Sequence, residues 1–285
     1  MTSTSPFVTA SWLSENLGKE NLVVLDGTYF LPVVKRDAAA EFQEGHIPGA
    51  QFCDLEAISD PDKSRPHMLA DNQRFSAAVG SMGISNDDLV IIYDQSGLFS
   101  APRLWWTFRV YGHENVKILE GGLKAWKSAG LNLETGDGVK PAPKRFNANL
   151  DKAQVRDAQD MLSLVGTKKE QIVDARSRGR FAGTEAEPWP GRVPGHMAGA
   201  FNLPHVELIN GETQTLKSVA EIKAAFEAEG VDLAKPIVTS CGSGVTASTL
   251  ALALHVAGIN GVAIYDASWS EWGLPANGFP IVSSS

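Results

Sequence analysis

The chain has 285 residues, enough for two domains of ordinary size, with 43% hydrophobic and 20% charged residues, a normal composition for packed cores. Its net charge of -8 argues against nucleic acid or an anionic membrane as partner, and any anionic substrate would need locally placed arginines. No apolar run approaches the roughly 20 residues of a membrane span. The opening MTSTSPFVTASWLSENLG lacks the basic and apolar regions of a secretion signal, and two cysteines make no disulfide framework, so a reducing cytoplasm is expected.

In chain order, Asn21–Gly27 (NLVVLDG) is an apolar run ending in Asp26, and Gly45–Phe52 (GHIPGAQF) follows as a turn. Leu89–Tyr93 reads as a strand buried on both faces, as does Ile237–Thr239, and Gly121–Gly130 (GGLKAWKSAG) is echoed by Ala267–Ala276 (ASWSEWGLPA). Leu131–Asn149 is polar, carries Gly and Pro, and has no apolar period. The pattern then returns. Gln171–Ser177 (QIVDARS) ends its apolar run in Asp174, Gly195–Asn202 (GHMAGAFN) repeats the turn, and Pro236–Gly244 (PIVTSCGSG) repeats Leu89–Gly97 (LVIIYDQSG). Val219 to Gly230 has helical period, with Ile222, Ala225 and Phe226 on one face and Gly230 as a cap. Val245 to Val256 is apolar nearly all round, as for a helix buried on a sheet.

Corresponding positions lie 146 (Gly121 to Ala267) to 150 (His46 to His196) residues apart, in one order, so the chain is a duplicated α/β domain with mostly parallel sheets flanked by helices. We draw the domains at 1–135 and 153–285, with a linker at 136–152.

The duplication supplies an internal control. His46 and His196 occur in both copies and read as structural. Cys241 does not; its counterpart is Asp94. Cys53 reads as an inert packed thiol, whereas Cys241 ends a strand inside a glycine loop at the start of a helix, where amide groups and the helix dipole converge and stabilise negative charge at sulfur. Gly242 to Thr246 would form the cradle. A cysteine phosphatase needs an arginine six residues on, where this chain has Ala247. A thiol protease needs a histidine base that no motif supplies. No pair of histidines or cysteines has metal-ligand spacing, so neither metal nor cofactor is expected.

The twin domains, HIPGA (His46–Ala50), PHML (Pro66–Leu69), LFSAPRLWW (Leu98–Trp106), VDAR (Val173–Arg176), SWSEWG (Ser268–Gly273) and the loop CGSGVT resemble the rhodanese-type sulfurtransferases, and among them the mercaptopyruvate type with its neutral loop. The resemblance implies two tandem rhodanese-like domains. It implies sulfur transfer from 3-mercaptopyruvate through a Cys241 persulfide to cyanide or to a thiol such as thioredoxin or a small dithiol, with release of pyruvate. It also implies a relay of Ser243, His67 and Glu56, with Asp54 as a rival acid, and a substrate carboxylate held by Arg180. The family's second arginine falls at Trp189, so that either Arg192 replaces it or Trp189 changes the substrate preference, and Arg103 is a further candidate. The alternatives are a thiosulfate sulfurtransferase, disfavoured by the uncharged loop, and a non-catalytic persulfide carrier.

Overall fold

The computed structural model describes residues 5–167 and 169–283. The chain divides into one unit of Met1–Pro61, Leu69–Asp151 and Gly211–Thr215, and another of Asp62–Met68, Lys152–Asn210 and Leu216–Ser285. No helix among the described residues is long and apolar enough to cross a membrane.

The first unit contains β1 (Phe7–Val8), α1 (Ala10–Asn16), β2 (Leu22–Asp26), α2 (Ala38–Glu44), β3 (Ala50–Phe52), α3 (Asn72–Ser81), β4 (Leu89–Tyr93), α4 (Ala101–Val110), β5 (Val116–Leu119) and α5 (Gly122–Ser128). Its sheet has the order β1-β5-β4-β2-β3, every pair parallel. Parallel strands need covered faces, and the sequence supplies apolar residues to both: Val90, Ile91, Ile92 and Tyr93 are all buried. Asp37 and Asp71 start α2 and α3 by accepting the amides their first turns leave unpaired.

The polar stretch after Leu131 is bound along this unit. Gly136, Val139, Lys144, Asn149 and Asp151 donate backbone bonds to Gln43, Ala50, Gly80, Tyr111 and Val110. Phe146 packs edge-on to Phe75 and Phe108. Phe146 and backbone bonds along its length hold the segment, which explains why it shows no apolar period.

The second unit contains β6 (Val155–Arg156), α6 (Ala158–Leu164), β7 (Gln171–Asp174), α7 (Arg178–Ala182), β8 (Phe201–Asn202), α8 (Val219–Ala228), β9 (Ile237–Ser240), α9 (Ala247–Val256), β10 (Ala263–Tyr265) and α10 (Ser268–Trp272). Its parallel sheet, β6-β10-β9-β7-β8, has the first unit's order strand for strand. Ser218 and Glu221 cap α8 reciprocally, and Gly230 follows with φ +86°. The expected helix from Val245 begins at Ala247 instead, because residues 242–246 turn at the end of β9. Strand order reverses between β7 and β9, and in such sheets ligands bind outside the strand ends at that reversal.

The paired histidines have matching structural roles. His46 bonds through Nδ1 to the Phe42 carbonyl at 2.8 Å and stacks on the Phe42 ring at 3.9 Å. His196 does the same with Phe181, at 2.8 and 4.0 Å.

Candidate active site

Cys241 follows the last residue of β9 and is 2% exposed. Its backbone N–H donates to Ser268 Oγ at 3.0 Å, and its carbonyl accepts from Trp269 at the start of α10. Gly244 takes φ +77°, turning the chain back toward α9. Among the described residues no protein acceptor meets the backbone N–H groups of residues 242–247. These N–H groups follow the sulfur-bearing residue directly and lead into the positive end of α9, an arrangement suited to a bound anion.

The first unit shows what the same loop does when filled. Asp94, at the position of Cys241, is buried. Its Oδ1 accepts from the amides of Ser96 and Leu98 (3.1 and 3.2 Å), and its Oδ2 from those of Ser100 and Ala101 (2.9 and 2.8 Å). Gly97, at φ +70°, matches Gly244. The first copy is therefore a cradle closed around its own carboxylate.

Ser243 and His67 meet within the second unit, with His67 Nδ1 2.9 Å from Ser243 Oγ and both residues buried. The segment Asp62–Met68 that carries His67 is counted with this unit although the rest of its surrounding sequence belongs to the first. Trp189 packs edge-on to His67, ring centroids 6.1 Å apart.

Arg180 lies in α7, a short helix between a Ser177 cap and Gly183 at φ +89°. A β-carbon at Gly242 would lie 2.9 Å from Arg180 Nη2, so the missing side chain there lets the guanidinium approach the loop. Glu187 holds that guanidinium: its Oε2 accepts from Arg180 Nε and Nη2 at 3.1 and 2.5 Å, and its Oε1 from Arg176 Nη1 at 2.7 Å. Arg176 is in turn bonded to Asp174 and lies 4.0 Å over the Trp269 ring. Burial, together with the charge of Arg180, pushes His205 down to about 4, so a neutral imidazole lies in the field of that arginine.

Arg192 departs from the expectation. Its Nε, Nη1 and Nη2 donate to the carbonyls of Ser270, Pro190 and Ser64 at 3.0, 2.9 and 2.8 Å, so the fork is spread over three backbone oxygens rather than presented to one carboxylate. Glu56 and Arg103 belong to the first unit. Glu56 is half-buried, its N–H bonded to Asp54 Oδ1, and its charge adds to the burial that raises Tyr29. Arg103 is buried with its guanidinium 4.9 Å over the Trp106 ring. Cys53 is buried, and desolvation pushes its thiol up to about 12, in keeping with inert packing.

Sequence reasoning missed Ser268, Glu187 and Arg176. Ser268 had a readable signal, since it replaces Gly122 of the first copy; Glu187 had none, because nothing in its spacing ties it to Arg180.

The sequence profile of the rhodanese-like domain matches residues 9–129 and again 157–274. The chain belongs to the rhodanese family of sulfurtransferases. It is 42% identical over 282 residues to the human 3-mercaptopyruvate sulfurtransferase, covering 97% of this chain and 94% of that one. The Escherichia coli K12 3-mercaptopyruvate sulfurtransferase is 42% identical over 277 residues, covering 96% and 97%. A chicken thiosulfate sulfurtransferase is also 42% identical, over 271 residues, covering 93% and 92%. The crystal structure of SseA from Escherichia coli superposes with a TM-score of 0.84 at 39% identity, covering 94% of this chain and all of that one. The rhodanese assignment thus accounts for both copies of the domain, of which the second alone carries a cysteine in its loop.

Proposed function

We propose that this rhodanese-family protein is a 3-mercaptopyruvate sulfurtransferase acting by covalent catalysis at Cys241. The Cys241 thiolate attacks the sulfur of 3-mercaptopyruvate; an S–S bond forms, the C–S bond breaks, and its electron pair leaves on carbon as the enolate of pyruvate. The enolate takes up a proton to become pyruvate, and a persulfide remains on Cys241. An acceptor thiolate then attacks the outer sulfur, forming a new S–S bond and regenerating the Cys241 thiolate. Cyanide attacks the same sulfur through its carbon, a C–S bond forms as the S–S bond breaks, and the product leaves as thiocyanate.

The observation that carries this reading is the loop at the end of β9. A cysteine is followed by six N–H groups that meet no protein acceptor among the described residues, in the twin of a loop that closes on a carboxylate. The amides of residues 242–246 would hold the persulfide, Arg180 the substrate carboxylate, and the Ser243–His67 pair would pass the proton to the leaving enolate. Both cysteines are free, which suits a reducing compartment such as the cytoplasm and a thiol acceptor such as thioredoxin or a small dithiol.

The chicken relative supports thiosulfate as the second donor to be assayed. Steady-state kcat/KM is measured for 3-mercaptopyruvate and thiosulfate with cyanide as acceptor and Cys241→Ser as blank. The reading expects many turnovers, a large preference for mercaptopyruvate and none of either in Cys241→Ser. Substantial turnover by that variant would sink the persulfide mechanism. A thiosulfate preference would replace the donor, and one sulfur loaded without turnover would make the protein a carrier.

A further inference from the structure

His67 stands on a strained support. Its backbone is left-handed, φ +64°, and its side chain is fully buried. A non-glycine residue keeps such a conformation where its surroundings over-determine it. Within the second unit, two of the contacts that do so come from one loop. Trp189 packs against the His67 ring. Arg192 Nη2 binds the Ser64 carbonyl, three residues before His67, at 2.8 Å. Arg65 adds a pair with Glu271 at 3.2 Å.

Arg192 has a second attachment. Its Nε binds the carbonyl of Ser270 at 3.0 Å, and the N–H of that same Ser270 donates to the Gly242 carbonyl at 2.7 Å. One planar guanidinium therefore ties the segment bearing His67 to the residue that holds the start of the cysteine loop. Gly242 is next to Ser243, the residue His67 bonds. The bond from His67 to Ser243 closes a circuit that runs through Arg192.

We infer that Arg192 is a positioning residue for the transfer reaction: it fixes the His67 segment against the Cys241 loop and so sets the Ser243–His67 bond, without touching substrate. The inference rests on the reading of Ser243 and His67 as a proton relay. It assigns Arg192 a role different from binding the substrate carboxylate, for which a fork aimed at a single acceptor is needed. Lysine cannot replace it, because a point charge on a flexible stem does not span three carbonyls in fixed directions.

The test is a double-mutant cycle with 3-mercaptopyruvate and cyanide, using Arg192→Met, Arg192→Lys, Ser243→Ala, His67→Gln, and each Arg192 variant combined with Ser243→Ala. Arg192→Met is expected to lower kcat about tenfold with KM changed less than about twofold, since misplacing a proton-transfer group costs rate rather than binding. Arg192→Lys should recover little. In the Ser243→Ala background either Arg192 variant should cost less than about twofold, because the bond it sets is already gone. If Arg192→Met does not fold, the Arg192→Lys arm carries the same cycle. A full, multiplicative loss in the Ser243→Ala background, an unchanged kcat, or a rise in KM at constant kcat each overturns the inference, the last by making Arg192 a substrate contact. If Ser243→Ala and His67→Gln themselves leave kcat unchanged, the relay reading falls and this inference with it. If those two lower kcat and Arg192→Met does not, the Arg192 inference alone falls.

Discussion

Ser268 accepts the backbone N–H of Cys241 at 3.0 Å while donating to the Tyr265 carbonyl at 2.7 Å, and it does so from a left-handed backbone, φ +52°. The first copy has Gly122 there at φ +55°, where a β-carbon would lie 2.4 Å from the Asp94 carbonyl oxygen. The second copy thus accepts backbone strain in exchange for a hydroxyl on the amide of its cysteine. Ser268→Ala keeps the strain and removes the acceptor, and should destabilise the protein by about 1–3 kcal/mol. Ser268→Gly should recover part of that loss, because glycine adopts this φ freely. Denaturant midpoints check the order; a glycine variant no more stable than the alanine one would show that the strain is not at this residue.

Arg180 and Glu187 should separate in kinetics. Removing the guanidinium in Arg180→Ala should raise KM for 3-mercaptopyruvate about tenfold or more, with a smaller change in kcat. Glu187→Gln keeps the shape of the buried carboxylate but removes its charge, leaving Arg180 less firmly held over Gly242. Its KM should rise about threefold to tenfold. Unchanged KM and kcat in Arg180→Ala would remove that residue from the site.

Asp94 shows the loop's affinity for an anion, and the affinity can be transferred. Asp94→Ala leaves four amides without their acceptor in a buried loop. It should cost at least about 2–3 kcal/mol. Acetate at high concentration should restore more stability to this variant than it adds to the wild type. Thermal melts with and without acetate decide it; equal increments would mean the emptied loop does not rebind a carboxylate.

Asp26, at the end of β2, has no arginine partner among the described residues: Thr28 stands where the second unit has Arg176 beside Asp174. Burial raises Asp26 from 3.8 to about 6, against the hydrogen bonds from Thr28. Since the folded value lies above the unfolded one, Asp26 contributes stability below about pH 4 that is lost as pH rises through 6. The loss is on the order of 3 kcal/mol. Asp26→Asn should flatten this part of the profile and slow hydrogen exchange in β2 and β4 at pH 7.5 relative to the wild type. An unchanged pH dependence in the variant would mean another group titrates there.

The duplication was legible because each copy must bury a parallel sheet on both faces, which imposes the same apolar runs at the same intervals. Leu89–Tyr93 matches its strand residue for residue, and Ile237–Thr239 falls one residue short of β9, which runs on to Ser240. Cys241 stood out through the absence of a thiol at Asp94, a comparison that needs no coordinates. Side chains whose partners are distant in sequence were not legible. Arg192 read as a candidate for the substrate because its chemistry is that of a carboxylate binder; its acceptors, Ser64 and Ser270, lie 128 and 78 residues away. The 136–152 stretch read as a linker because the backbone bonds that residues 136–151 make to neighbouring strands and helices leave no periodic trace.

The sequence by itself determined the repeated α/β domain and the glycine loop in which the second copy alone carries a cysteine, since these follow from local period, turn chemistry and comparison between the copies. Only the tertiary structure decided which side chain meets which: His67 with Ser243, Glu187 with Arg180, Ser268 with Cys241. Hydrogen bonds have a reach of about 3 Å and no sequence period, so the pairs they join are set by how the chain folds back on itself.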